Sequence, residues 1–145
     1  MRIFVGLSGA SGITYAYYLL KKLNDTPDIE LHLAVTKSAI INASIELDSS
    51  INTPKALVDY IGIDCHLYDS KDLAAKPSSG SFKLDAYIIV PASMGFIARA
   101  ATGVSIDLLQ RCADVALKED RRLIVCFRET PLSTIHLRNL LTLKE

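Results

Sequence analysis

The order of apolar and amphipathic segments predicts a doubly wound α/β fold, a parallel sheet held between two helical layers (three-layer α/β/α), on three observations. The first residues run from an apolar strand into a loop with glycines at positions 6, 9 and 12, followed by an amphipathic stretch. Two continuous apolar runs, Ala86 to Val90 and Leu123 to Phe127, suit strands buried on both faces. Apolar and amphipathic segments alternate along the chain in the order of stacked βαβ units.

Ile3, Phe4 and Val5 form the first strand, and Tyr15 to Leu23 the helix after it. Ile29, Leu31, Leu33 and Val35 alternate along a second strand, followed by a short helix from Ser38 to Glu46. Thr53 is a candidate N-cap for a helix at Lys55 to Ile61, with Pro54 in the first turn, where its missing N–H is not needed. His66 to Tyr68 reads as a short edge strand. The runs ended by Pro91 and Arg128 belong at the centre of the sheet. Between them, Ile106, Leu109, Cys112, Ala113, Ala116 and Leu117 share one face of a helix from about Ser105 to Lys118. With no internal repeat or low-complexity linker, residues 1–145 read as one domain.

The chain has 145 residues, half of them hydrophobic, and a formal net charge of zero. That leaves no basic field for nucleic acid or an anionic membrane, so phosphate recognition must be local. No signal peptide opens the sequence and no apolar run is long enough to span a bilayer, so a cytoplasmic location is expected. Cys65, Cys112 and Cys126 lie outside any CxxC spacing and are expected to be small core residues. His32, His66 and His136 show no ligand spacing, and no metal is expected.

In a doubly wound sheet, ligands bind at the carboxyl ends of the strands where the winding reverses. Four segments converge there: Ser8 to Gly12, Thr36-Lys37, Pro91-Ala-Ser-Met-Gly-Phe96 and Arg128-Glu-Thr-Pro131. The glycines of the first let the backbone approach a ligand, the helix behind it presents N–H groups to a phosphate, and Ser8 and Ser11 add hydroxyl donors. No Walker lysine ends the loop, and Gly6-x-x-Gly9-x-x-Gly12 is not the dinucleotide spacing. The second strand ends in Thr36-Lys37, where an NAD site would have an acidic residue. A mononucleotide such as FMN fits better.

Gly6-x-Ser-Gly-Ala-Ser-Gly12, Ser78-Ser-Gly-Ser81, Arg111-Cys-Ala-Asp-Val-Ala-Leu-Lys118 and Arg128-Glu-Thr-Pro-Leu-Ser-x-x-His-Leu-Arg138 occur in matching order from Met1 onward, and with them the chain resembles the UbiX/PAD-type flavin prenyltransferases. The resemblance implies a flavodoxin-like (Rossmann-like) fold and metal-independent transfer of a dimethylallyl group from dimethylallyl phosphate to N5 and C6 of reduced FMN. The product, prenylated FMN, serves UbiD-type decarboxylases. It also implies FMN contacts from Gly9, Ala10, Ser11, Thr36, Ser93, Met94, Gly95, Phe96 and Arg128. Arg111, Lys118 and Glu129 would bind the prenyl donor, with Ser11, Glu46, Ser79, Lys118 and Glu129 as the catalytic set. Cations at the leaving phosphate and a carboxylate able to take protons are what ionisation of an allylic phosphate requires. His136 is expected to hold the Arg-Glu-Thr-Pro loop. Relatives imply a homo-oligomer, a trimer-based dodecamer with sites completed by neighbouring subunits.

The sequence departs from the family pattern at Ala92-Ser-Met94 and Glu119-Asp-Arg-Arg122, and stops at Glu145, where family members continue through a further strand and helix. The donor site is therefore expected to lack the family's C-terminal contribution. Two other readings stand beside transfer. One is a flavin-dependent cysteine-type decarboxylase, whose Pro-Ala-Ser-Ala-Asn-Thr loop contrasts with Pro91-Ala-Ser-Met-Gly-Phe96 here. The other is a non-catalytic FMN carrier.

Overall fold

The computed structural model describes residues 1–145. Five strands, β1 (Arg2–Leu7), β2 (Glu30–Val35), β3 (His66–Asp69), β4 (Ala86–Ile89) and β5 (Arg122–Val125), form one parallel sheet in the order β3-β2-β1-β4-β5. The winding reverses between β1 and β4, so the loops after these two strands face each other across the switch point.

Period-two alternation sorts the strand side chains between two cores. Ile3, Val5, Leu7, Leu31, Leu33, Val35, Ile88 and Val90 pack against helices α1 (Ile13–Asn24), α2 (Lys37–Glu46) and α3 (Pro54–Ile61). On the other face, Phe4, Ala34, Tyr87 and Ile89 pack against α4 (Met94–Ala101) and α5 (Leu108–Lys118). Helix α6 (Thr134–Lys144) lies on α4. Gly6 faces this second core because a Cβ there would stand 2.8 Å from Leu109 Cγ. Thr53 caps α3 as expected, its Oγ1 accepting from the Ala56 N–H at 3.0 Å.

Several elements differ from the sequence reading. β5 is an edge strand rather than a central one, and only partly buried; an apolar run records burial but not which strand pairs on each side. α5 starts at Leu108, because the Asp107 side chain accepts the Gln110 N–H at 2.9 Å and ends the preceding loop. Ile106 therefore lies outside the helix and is exposed, as is Leu117, while Leu109, Cys112, Ala113 and Ala116 form the buried face. α4 stands where the sequence pattern predicts loop; Ser93 caps it, and Met94, Gly95 and Phe96 are its first turn. Cys126 is exposed, in contrast to buried Cys112.

The N-terminal edge of the sheet is closed by paired polar groups. Arg121 donates to Gly80 O at 2.6 Å, Phe82 O at 3.3 Å and Tyr87 Oη at 3.2 Å. Arg2 Nε meets Glu30 Oε2 at 2.8 Å, and Glu30 Oε1 lies 3.1 Å from buried His32 Nε2 and 3.5 Å from His66 Nε2. The pairing of β2 with β3 sets His32 beside His66, a proximity that sequence spacing did not show. The two rings stack at 4.8 Å with 18° between planes, and with Glu30 they bring three possible ligand atoms within 4.8 Å of one another.

Candidate functional site

The Ser8–Gly12 loop does not offer the α1 N-terminus to a phosphate. Gly12, at φ +113°, turns the chain into α1, and Glu46, the last residue of α2, fills the space in front of it. One carboxylate oxygen of Glu46 accepts from the Gly12 N–H at 3.0 Å, and the other accepts from Ile13 at 2.8 Å. A carboxylate satisfies the free N–H groups and the positive end of the helix dipole as well as a phosphate would. This corrects the expected phosphate position and gives Glu46 a capping contact beside Ser11. Ser8 is also committed: its hydroxyl donates to Pro91 O at 2.9 Å and accepts from the Ser93 N–H at 2.7 Å, tying the two switch-point loops together.

The open amides lie one loop further along. A cleft of about 180 Å³ is lined by Ser8, Gly9, Thr36, Ser38, Ser93, Phe96, Arg99, Asp107 and Gln110, between the N-termini of α2 and α4. Thr36 caps α2 through the Ala39 N–H at 3.2 Å, and Ser93 caps α4 through the Phe96 N–H at 3.0 Å. The N–H groups of Lys37, Ser38, Met94 and Gly95 in these first turns have no intrahelical acceptor. Phe96 contributes less than expected, since Ser93 takes its N–H and its ring is in the core. Gly9 is required here because a Cβ would stand 2.3 Å from Ser38 Cβ. Gln110, 1% exposed, has an Nε2 with no partner. Two sets of free amides and an orphaned buried donor suit a group rich in acceptor oxygens, as the phosphate and ribityl chain of FMN are.

A second cleft, about 400 Å³, flanks the same loops and is lined by Ser11, Tyr15, Val90, Pro91, Cys126, Phe127 and Arg128. Arg128 is exposed and forms no ion pair with Glu129, whose Oε1 accepts the Thr130 N–H at 3.1 Å instead. Although Cys126 is exposed as a residue, partial desolvation of its thiol by the cleft walls raises its pKa above the usual value, so it stands here as a neutral thiol. His136 closes the N-terminus of α6: its Nδ1 accepts from the Ser133 N–H at 3.3 Å, while Ser133 Oγ accepts the His136 N–H at 3.2 Å. That caps α6 at Ser133, whereas the sequence reading had His136 holding the Arg128-Glu-Thr-Pro131 loop itself. A larger cavity of about 540 Å³, at the ends of β2 and β3, takes only Lys37 from the candidate segments.

Arg111, Lys118 and Ser79 form a separate group. Arg111 Nε donates to Ser78 O at 3.2 Å and its Nη1 pairs with Asp114; Lys118 Nζ meets Glu119 Oε1 at 2.9 Å; Ser79 Oγ lies 2.9 Å from Ser81 Oγ. Gly80 joins them, its Cβ position being 3.3 Å from Lys118 Nζ. Lys118 holds the Glu119 carboxyl below its usual value through their hydrogen bond. Helix α5 runs from Asp107 at the flavin-type cleft to Lys118 at the opposite edge of the sheet, a rise of roughly 16 Å. Within one chain, Lys118 and Ser79 therefore do not meet Ser11, Glu46, Arg128 or Glu129. Arg99, Gln110, Ser38 and Asp107 were missed from the sequence; only Asp107, an N-cap before Leu108-Leu109, left a readable signal.

Residues 1–145 match the family described as Flavoprotein. Flavin prenyltransferase LpdB of Lactiplantibacillus plantarum is 46% identical over 139 residues, 96% of this chain and 71% of the relative. The chain belongs to the UbiX/PAD flavoprotein family. Among UbiX-type structures, a dodecameric FMN-dependent UbiX-like decarboxylase from Escherichia coli O157:H7 superposes with TM-score 0.90 at 39% identity, covering 99% of this chain and 75% of that one. AnUbiX (PadA1), in complex with FMN and dimethylallyl pyrophosphate, superposes with TM-score 0.89 at 40% identity, covering 99% and 72%. The UbiX/PAD fold is the expected three-layer α/β/α sandwich, and no helix is long and apolar enough to cross a membrane.

Proposed function

We propose that this chain is a flavin prenyltransferase that moves a dimethylallyl group from dimethylallyl phosphate to reduced FMN, giving prenylated FMN for a UbiD-type decarboxylase. The observation that carries this reading is the coincidence of the free α2 and α4 amides with the segments the family uses for flavin, in a chain 46% identical to a prenyltransferase. When bound, reduced FMN supplies the electron-rich ring to which the allylic carbon becomes bonded.

Gly9, Met94 and Gly95 would hold the cofactor through backbone N–H groups and Thr36 through its hydroxyl, whereas the N–H groups of Ala10 and Thr36 are already given to Ser8 O and Leu7 O. Arg128 with Ser11 lines the side where the donor enters. As the allylic C–O bond breaks, its electron pair leaves with the phosphate oxygen, and fixed cations lower the cost of that charge. Arg128 is unpaired and ready for this role; Arg111 and Lys118 exchange Asp114 and Glu119 for the phosphate. Glu46 and Glu129 are the carboxylates near Ser11 and Arg128 able to take protons from the acceptor.

The distance between the two groups supports a donor site shared by more than one copy. Arg111, Lys118 and the Ser78–Ser81 turn of one subunit complete the Ser11–Arg128 cleft of another, within a homo-oligomer of the dodecameric kind. Mass spectrometry of the flavin after anaerobic incubation of the protein with reduced FMN and dimethylallyl phosphate tests the reaction. A mass gain of one prenyl unit is expected; unmodified, protein-bound FMN would favour the carrier reading.

A further inference from the structure

We propose that Arg99, with Gln110 behind it, is the cationic receptor for the FMN phosphate and makes the chain discriminate FMN from uncharged riboflavin. This rests on the flavin reading of the cleft between α2 and α4.

Arg99 is the only cationic side chain lining that cleft; Lys37, next to the Thr36 cap, lines the larger cavity instead. It sits on α4 one turn beyond Gly95, where the missing side chain leaves room for the guanidinium. A Cβ on Gly95 would lie 3.5 Å from Arg99 Nη1 and 3.8 Å from Nη2. The charge is thus folded back over the first turn of α4, toward the free N–H groups of Met94 and Gly95. No carboxylate forms an ion pair with it, and its Nε is buried without an acceptor. Elsewhere Arg2, Arg111 and Arg121 each have a carboxylate or carbonyl partner.

Gln110 gives the same indication independently. It is 1% exposed, and its Oε1 accepts the Ile106 N–H at 2.9 Å, which fixes the amide so that Nε2 is the open donor. One carboxylate, Asp107, lines the cleft, and its Oδ1 is engaged by the Gln110 N–H at 2.9 Å. Two orphaned donors and the N-termini of an eight-residue and a ten-residue helix converge on one small polar cleft. A phosphate monoester satisfies all of them, with a planar guanidinium suited to two of its oxygens. Riboflavin ends in a hydroxyl there and would leave Arg99 unpaired.

Titration of flavin-free protein with FMN and riboflavin, followed by flavin fluorescence, tests this with wild type, Arg99→Gln and Arg99→Lys. Glutamine keeps much of the length and a donor without the charge; lysine keeps the charge. FMN affinity is expected to fall about 10- to 100-fold in Arg99→Gln, with riboflavin affinity unchanged and partial recovery in Arg99→Lys. Unchanged FMN affinity, or an equal loss for both flavins, would overturn the assignment. If wild type bound neither flavin, the flavin reading itself would fall, and inorganic phosphate would decide the rest. A rise in melting temperature in wild type that is lost in Arg99→Gln would keep the anion site; equal behaviour would remove it.

Discussion

The two edges of the sheet share one hydrophobic framework but handle polar groups in opposite ways. At the N-terminal edge, Arg121 is held by two carbonyls and Tyr87, and Arg2, Glu30 and His32 form a closed chain of contacts. At the C-terminal edge, the first amides of α2 and α4, Arg99 Nε and Gln110 Nε2 have no partner. An unpartnered buried donor costs about 1–3 kcal/mol, so a fold keeps such groups where a ligand satisfies them. The exception within that edge is instructive. The α1 N-terminus, the place where glycine spacing suggested a phosphate, is closed by Glu46.

If flavin binding belongs to the C-terminal edge alone, substitutions at the two edges should separate in their effect on FMN affinity. The largest expected effect is on catalysis: Lys118→Ala should slow prenyl transfer by about 100-fold or more, with FMN affinity unchanged, as judged by turnover assays and flavin titration. A parallel loss of FMN would return Lys118 to the flavin cleft. Next, Gly9→Val forces a side chain into Ser38, which must shift the loop. Colourless purified protein is expected, destabilised by about 1–3 kcal/mol in denaturant titration. Yellow protein with normal flavin content would show that this loop can move without losing the site.

At the paired edge, Arg121→Ala leaves two carbonyls and Tyr87 Oη without their donor. A loss of about 2–3 kcal/mol of stability is expected at unchanged FMN affinity, measured by urea unfolding and flavin titration on the same preparation. The smallest effect is that of pH on His32, where burial lowers the imidazole pKa while neighbouring Glu30 opposes the shift and His66 and Arg2 add to it. Below about pH 6.5 the unfolded chain binds a proton that the folded chain refuses. Stability should therefore fall as pH drops through that value toward the lowered native pKa, and His32→Gln should flatten this part of the curve. An unchanged slope in the variant would assign it to other groups.

The strands, α1 to α3 and the Thr53 cap were legible because they depend on local pattern: apolar period, turn residues and a side chain that can reach back to its own helix. α4 was not, since Ser93-Met-Gly-Phe has the composition of a turn and only tertiary packing makes Phe96 part of a helix. Nor could β5 be recognised as an edge strand, because sheet position is set by the whole topology. In the site, the family motifs indicated the right loops, yet the functions of Glu46 and Ser8 within them depend on partners 34 and 83 residues away. Arg99 and Gln110 carried no signal at all: an unpaired donor is defined by what the fold fails to bring near it.

The central claim, that a prenyl transfer site is assembled from opposite edges of two different copies, is tested most directly by subunit complementation. Lys118→Ala and Arg128→Ala proteins, each inactive alone, would be mixed, dissociated and reassembled, and prenylated FMN then measured by mass spectrometry. Recovery of a substantial fraction of wild-type turnover in the mixed oligomers is expected, because some interfaces then pair an intact Lys118 with an intact Arg128. No recovery in verified mixed oligomers, against an active wild-type control, would contradict the shared site and place both residues in a single subunit's pocket.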